Sequence, residues 1–315
     1  MRINKLMLVG LTAFLAFACN NDDDGGLVQV EVRDRTEVAV EDDQALLDYL
    51  STHFYNYEDF ENPSEDFDYQ IVFDTIAGEN ADKEPIINSD KLITKTVNNE
   101  GVDQNLYVLR VREGVGAKPT FADSTFVTYQ GELLDGTVFD SNLRNPVWFN
   151  LTPYFGIVNN SVAQLGGVIK GFQAGLTEFG AASGFEVKAD NTVEWNNDYG
   201  IGAIFMPSGL AYFFNSPETI PVYSPLVFQV SSYVVNQADH DNDGIPSFME
   251  DLDGDGDAST DDSDEDGLPN LSDPDDDGDG TPTRDEIEIS EDGTLILTDS
   301  NNDGTPDYLD PDVFQ

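Results

Sequence analysis

Asp239, Asp241, Asp243 and Glu250 stand at positions 1, 3, 5 and 12 of a twelve-residue frame, with Gly244 at position 6. Side-chain oxygens at that spacing, with a glycine for the sharp turn, let one short stretch of chain wrap a hard cation such as calcium. The frame recurs as Asp251, Asp253, Asp255 and Asp262, then as Asp262, Asp264, Asp266 and Asp273. It returns as Asp275, Asp277, Asp279 and Glu286, and lastly as Asp299, Asn301, Asp303 and Asp310. In four of these five frames a proline follows position 7, as Pro246, Pro269, Pro282 and Pro306. Proline biases the residue before it to an extended backbone, which suits a carbonyl ligand at position 7. Composition alone describes an acidic disordered tail, whereas the strict internal repeat predicts that residues 239–315 are disordered without calcium and ordered by it as a structural ion. His240 reads as a solvated spacer, because calcium prefers oxygen.

A second stretch, FVTYQGELLDGTVFDS from Phe126 to Ser141, offers aromatics, a glycine turn and Asp140, and contains no His, Cys or Lys. Its chemistry is therefore not ordinary proton transfer. The whole chain has one Cys and two His and no phosphate-cradling glycine loop, which argues against a hydrolase or an oxidoreductase. His53, beside Phe54 and Tyr55, reads as a packed or exposed helix residue.

The elements around this stretch are strands. LYVLRVREG alternates, TFVTYQGEL follows, Asp135-Gly136 marks a turn, and PVWFNL and SPLVFQVSSYVV read as further strands. Between them GGVIKGFQAGLTEFG places Val168, Ile169, Phe172, Leu176 and Phe179 on one helical face. The expected fold for 104–236 is α+β, an antiparallel sheet wrapped around one amphipathic helix. Upstream, DDQALLDYLSTHF predicts a short helix with Leu46, Leu47, Leu50 and Phe54 on its apolar side. Residues 44–103 read as an accessory region with strand-like pieces at YQIVFDTI and KLITKTV, packed on the next domain. Residues 19–43 read as a tether.

The strand-rich region resembles the FKBP-type peptidyl-prolyl isomerases, on the ordered motifs VTYQG, LLDGTVFDS, PVWFNL, VIKGFQAGL, PSGLAY, TIP and PLVFQV. The resemblance implies a proline pocket lined by Tyr129, Phe139, Asp140, Phe149, Val168, Ile169, Phe172, Tyr212, Ile220 and Phe228. It implies that the Ile169 N–H and the Tyr212 hydroxyl hold substrate carbonyls, that Asp140 and Tyr129 orient the polar side, and that no cofactor is needed for isomerisation. Three features depart from the family pattern. Val147 stands at an often aromatic position, Phe213 replaces the glycine after the pocket tyrosine, and AASGFEVKADNTVEWNNDYG is inserted after the helix. A proline-peptide binding module without turnover is the alternative these departures leave open. The tail resembles the thrombospondin type-3 repeats, since no helix fits between Glu250 and Asp251 as an EF-hand would require. A calcium-stiffened surface adhesion element is the third reading.

Charge and the N-terminus address location and partners. The net charge is −48, and residues 239–315 carry 28 acids against one base, Arg284. Phosphate binding needs clustered Lys and Arg, so nucleic acid is not an expected partner. Two basic residues, Arg2 and Lys5, precede the apolar run LMLVGLTAFLAFA and then Cys19. Such a run is too short for a helical span and reads as a secretory signal over 1–18. Cys19 after LAFA resembles the lipobox of bacterial lipoproteins, which implies a lipid on Cys19 and a membrane partner. NNDDDGG after it resembles the surface-export tag of Bacteroidetes lipoproteins. The expected location is the outer membrane, at the cell surface or on its periplasmic face, with proline-containing polypeptides as clients.

Overall fold

All seven residues of the strand Gly200–Met206 are buried, so the sheet that contains it must be covered on both faces. A computed structural model describes residues 31–314 and shows how. The expectations for the signal, Cys19 and the acidic residues after it lie outside the described residues. In chain order the elements are α1 (Arg35–Thr52), β1 (His53–Tyr55), α2 (Tyr57–Glu61), β2 (Phe73–Thr75), β3 (Leu92–Asn99) and β4 (Val102–Arg112). Then come β5 (Ser124–Leu133), β6 (Val138–Asn150), β7 (Pro153–Val158), β8 (Ser161–Gly166), α3 (Lys170–Leu176), β9 (Phe185–Val187) and β10 (Val193–Trp195). The last are β11 (Gly200–Met206), β12 (Leu226–Asn236), β13 (Ile287–Ile289) and β14 (Leu295–Leu297).

Six strands form the main sheet in the order β3-β4-β11-β12-β5-β6, each neighbouring pair antiparallel. Period-2 alternation sorts its side chains to two faces. Leu106, Val108, Ile204, Met206 and Phe228 face α3, which buries Phe172 and Leu176 against them. Tyr107, Leu109, Val111, Ala203, Phe205 and Val227 face the other way, onto Leu46, Tyr49 and Leu50 of α1 and onto Tyr55, Ile71 and Ile86. The expected antiparallel α+β architecture is present, with a second helical cover.

That second cover corrects several expectations. α1 is capped by Asp34, whose carboxylate accepts from the N–H groups of Thr36 and Glu37, so the helix begins inside the segment 19–43 read as a tether. It ends at Thr52, and Phe54 lies on β1, because the chain turns at His53 to pair with β2. KLITKTV is a strand of the main sheet, and the boundary placed at 103–104 cuts through the β3–β4 hairpin. Lys95 on β3 reaches Glu178 at 2.9 Å and the Ala174 carbonyl at 3.0 Å, which ties this edge to the end of α3. The helix expected from Val168 to Phe179 is confined to Lys170–Leu176. Val168 and Ile169 precede it outside the helix, Ile169 with an extended backbone, and that is what frees them to line a site.

Candidate functional site

Beside α3 the sheet and the β7–β8 hairpin enclose a cavity of about 550 Å³, a size that suits a small ligand or a side chain with its flanking peptide. Its wall is a chain of rings in mutual contact. Tyr129 meets Phe149 at 5.4 Å between centroids, Phe149 meets Phe172 at 5.4 Å, Phe172 meets Phe228 at 5.0 Å, and Phe228 meets Phe139 at 5.5 Å. Three of these contacts are edge-to-face and the Phe172–Phe228 pair is tilted at 55°, packing that fixes ring orientation as well as burial. Gly131 is required for it, since a Cβ there would lie 2.5 Å from the Phe139 ring.

The polar side is equally specific. The Tyr129 hydroxyl donates to Asp140 Oδ2 at 2.7 Å. Burial, then the Asp140 carboxylate, push that hydroxyl up to about 12, so it stays protonated. The Tyr212 hydroxyl is also raised, first by burial and then by Asp140. Among the described residues neither the Tyr212 hydroxyl nor the Ile169 N–H donates a hydrogen bond, although the Ile169 carbonyl accepts from Phe172 and Gln173. The cup thus presents two uncommitted donors above an aromatic floor.

Of the ten pocket residues expected from sequence, Tyr129, Phe139, Asp140, Phe149, Val168, Ile169, Phe172, Tyr212 and Phe228 line this cavity. Ile220 does not. It is buried in the core cluster that also holds Phe172 and Phe228. Pro153, Gln164, Gly166 and Gly167 complete the wall, and sequence reasoning missed them because β7 and β8 are short and carry little periodicity.

The three departures sit away from the cup. Val147 pairs with Val127 in the sheet. The insertion forms the β9–β10 hairpin, whose Trp195 packs on Phe126 and Tyr233. Phe213 keeps a left-handed backbone, φ 50°, a conformation that costs a non-glycine residue of order 1–3 kcal/mol. Its ring turns from the cup to meet Tyr223 edge-on at 4.9 Å and the Arg35 guanidinium at 4.2 Å. Asp42 on the same helix is buried and accepts from the Ser208 N–H and hydroxyl at 2.8 and 2.6 Å. Helix α1 therefore grips the 207–213 loop that carries Tyr212.

In the tail the five frames share one geometry. The first carboxylate of each accepts from the N–H of its position-6 glycine: Asp239 from Gly244, Asp251 from Gly256, Asp262 from Gly267, Asp275 from Gly280 and Asp299 from Gly304. Those glycines all have φ between 80° and 106°, the left-handed region the turn demands. A short 3-10 turn follows four of the prolines, at Ser247–Met249, Asn270–Ser272, Thr283–Asp285 and Asp307–Leu309. Regular structure in the described tail is limited to short 3-10 turns and the β13–β14 hairpin, set between the fourth and fifth loops.

Its carboxylates converge. Asp251, Asp253 and Asp255 form one group, Asp262, Asp264 and Asp266 a second, Asp275, Asp277 and Asp279 a third, and Asp241, Asp243, Glu250 and Asp276 a fourth. Asp239, Asp273 and Glu286 lie outside these groups, and in the fifth loop Asn301 donates to Asp310 at 2.7 Å. Both oxygens of Glu250 and of Glu286 are buried without a hydrogen-bond partner. Burial, and after it the neighbouring carboxylates, push Glu250 up to about 10. His240 is not the expected spacer. It is partly buried, stacks on Tyr154 at 4.4 Å and bonds to Asn150 and Ser247, which docks the first loop on the sheet and hairpin. Lys170 donates to the Gly256 carbonyl at 3.0 Å, and the Phe155 N–H donates to Ser272 Oγ at 2.8 Å.

Residues 240–298 match the family described as BamM C-terminal. Similar solved structures include a peptidyl-prolyl cis-trans isomerase from Pseudomonas syringae pv. tomato, 22% identical over 48% of this chain and 84% of that one, with a TM-score of 0.32. FkpA from Escherichia coli is 24% identical over 47% of this chain, with a TM-score of 0.33, and the match spans 53% of its length. No curated protein matches the chain.

Proposed function

We propose that this chain is a peptidyl-prolyl cis-trans isomerase of the FKBP type, working on exported polypeptides and carrying a calcium-ordered tail. The observation that carries the reading is the aromatic cup with two uncommitted donors, the Ile169 N–H and the Tyr212 hydroxyl. Rotation about X-Pro faces a barrier of ~18–20 kcal/mol set by amide resonance, and lowering it requires no bond to the protein. A proline ring on Phe172, walled by Phe149 and Phe228, leaves its amide in a surrounding of low polarity. That surrounding disfavours the charge-separated planar form, and donors aimed at the substrate carbonyls stabilise the twisted one. Tyr129 and Asp140 hold the polar rim in place. The test is the cis-to-trans rate of an X-Pro peptide with the purified chain. Binding without acceleration would instead establish a proline-peptide binding module.

The tail residues suit calcium in kind, being hard oxygen donors that converge, and in the group of Asp241, Asp243, Glu250 and Asp276 they are largely buried without counter-charge. The ion would supply charge neutralisation, joining carboxylates that otherwise repel. For location, the reading is a lipoprotein of the outer membrane held by Cys19. Labelled palmitate entering the wild type and absent from Cys19→Ala supports it, and equal labelling of both refutes it.

A further inference from the structure

Asp276 does not belong to the calcium frame in which it lies. It follows position 1 of the fourth loop, between Asp275 and Asp277. Asp276 and Asp277 form the corner of a turn closed by the Gly278 N–H, which donates to the Asp275 carbonyl at 3.1 Å, and a turn sends successive side chains in different directions. Asp275, Asp277 and Asp279 accordingly gather in their own loop, while Asp276 gathers with Asp241, Asp243 and Glu250 of the first, ligand atoms of all four lying within 4.8 Å of one another.

Three of the four are almost fully enclosed, Glu250 at 0%, Asp243 at 1% and Asp276 at 1% exposure. Both carboxylate oxygens of Asp276 and both of Glu250 lack any hydrogen-bond partner, as do Asp241 Oδ2 and Asp243 Oδ2. No salt bridge among the described residues reaches them. Four carboxylates turned toward one point, three of them buried and none with a counter-charge, are not a stable arrangement in themselves, since a buried charge without a partner costs several kcal/mol. Asp276 is also held in place deliberately. Its N–H donates to Thr283 Oγ1 at 3.1 Å, and the Thr283 N–H donates to the Pro274 carbonyl at 3.0 Å.

We propose that Asp241, Asp243 and Glu250 of the first loop and Asp276 of the fourth hold one calcium ion in common, so that the ion staples the fourth loop onto the first. The proposal rests on the calcium reading of the tail and adds that one site is built by two loops distant in sequence. Closing that staple encloses the second and third loops, which carry the Gly256 and Ser272 contacts to Lys170 and Phe155 beside the cup. The Asp275–Asp277 run thereby serves two ions at once.

The experiment is calcium titration of the full chain by calorimetry, with hydrogen exchange over 241–250 and thermal melts in calcium and in EDTA, for wild type and Asp276→Asn. The expected result is that one site of the variant weakens at least tenfold and that exchange in the first loop rises in calcium, although the substitution is in the fourth. In EDTA the variant should melt no lower than wild type, because it removes one of four crowded like charges. Unchanged titration and exchange in the variant overturn the shared site while leaving calcium binding by the separate loops intact. Equal destabilisation of the variant in EDTA and in calcium overturns it too, by making Asp276 a structural residue. A wild type that binds no calcium removes the calcium reading of the whole tail.

Discussion

The aromatic cup and the first carboxylate loop are shaped by opposite means. The cup is walled by rings that stabilise one another in the absence of any ligand, with Phe172 and Phe228 anchored in the core. The loop is walled by groups that repel, Asp241, Asp243, Glu250 and Asp276. An apolar site is preorganised by the same burial that folds the domain, whereas an anionic site is organised by what it binds.

Removing calcium should separate the two regions most. An ion present at a hundredfold excess over its Kd contributes about 2.7 kcal/mol per site. EDTA should therefore raise protease cleavage within 239–310 by about a hundredfold or more, while aromatic circular dichroism of the cup stays unchanged. Loss of both signals together would show that the two regions are one cooperative unit.

Phe172→Ala attacks the other region. The ring is only 3% exposed, so its loss should cost about 3–5 kcal/mol of stability in urea unfolding and remove isomerase activity. Calcium binding by the tail should persist in the folded fraction.

Asp42→Ala tests the cover on the far face of the sheet. Stripping the acceptor from Ser208 leaves two buried donors unsatisfied and should cost about 1–3 kcal/mol. Turnover should fall as well, because the same loop carries Tyr212. An unchanged urea midpoint would show that α1 does not brace this loop.

Tyr212→Phe is the finest cut in the cup. It keeps the ring and removes one uncommitted donor, so kcat/KM should drop by the equivalent of about 0.5–1.5 kcal/mol with stability unaltered.

The smallest effect is expected from pH. With the Tyr129 hydroxyl raised from 10 to about 12, the favourable folded state is the protonated one. Its contribution to stability is complete below pH 10 and is lost as pH rises through about 12. Isomerase activity should accordingly be flat from about pH 6 to 9. A sigmoid centred near neutrality would point to a titrating base and sink the cup mechanism.

Side-chain type and spacing were enough, from the sequence alone, to specify what lies close along the chain. The period-2 strands around Tyr129 and Phe228, the Asp135-Gly136 turn and the five Asp-rich frames with their position-6 glycines were legible because the physics behind each is local. Nine of the ten expected cup residues converge for the same reason, since each is fixed by its place on a strand, on α3 or at a turn. What depended on surfaces meeting across the fold was decided only by tertiary structure. Helix α1 begins inside an apparent tether because the second face of the sheet needed cover, with Asp42 and Arg35 reaching a loop far along the chain. Pro153 and Gln164 join the cup because a short hairpin folds over it. Asp276 leaves its own loop for the first because it sits at the corner of the 275–278 turn, and a local frame has no means of registering a ligand supplied from another loop.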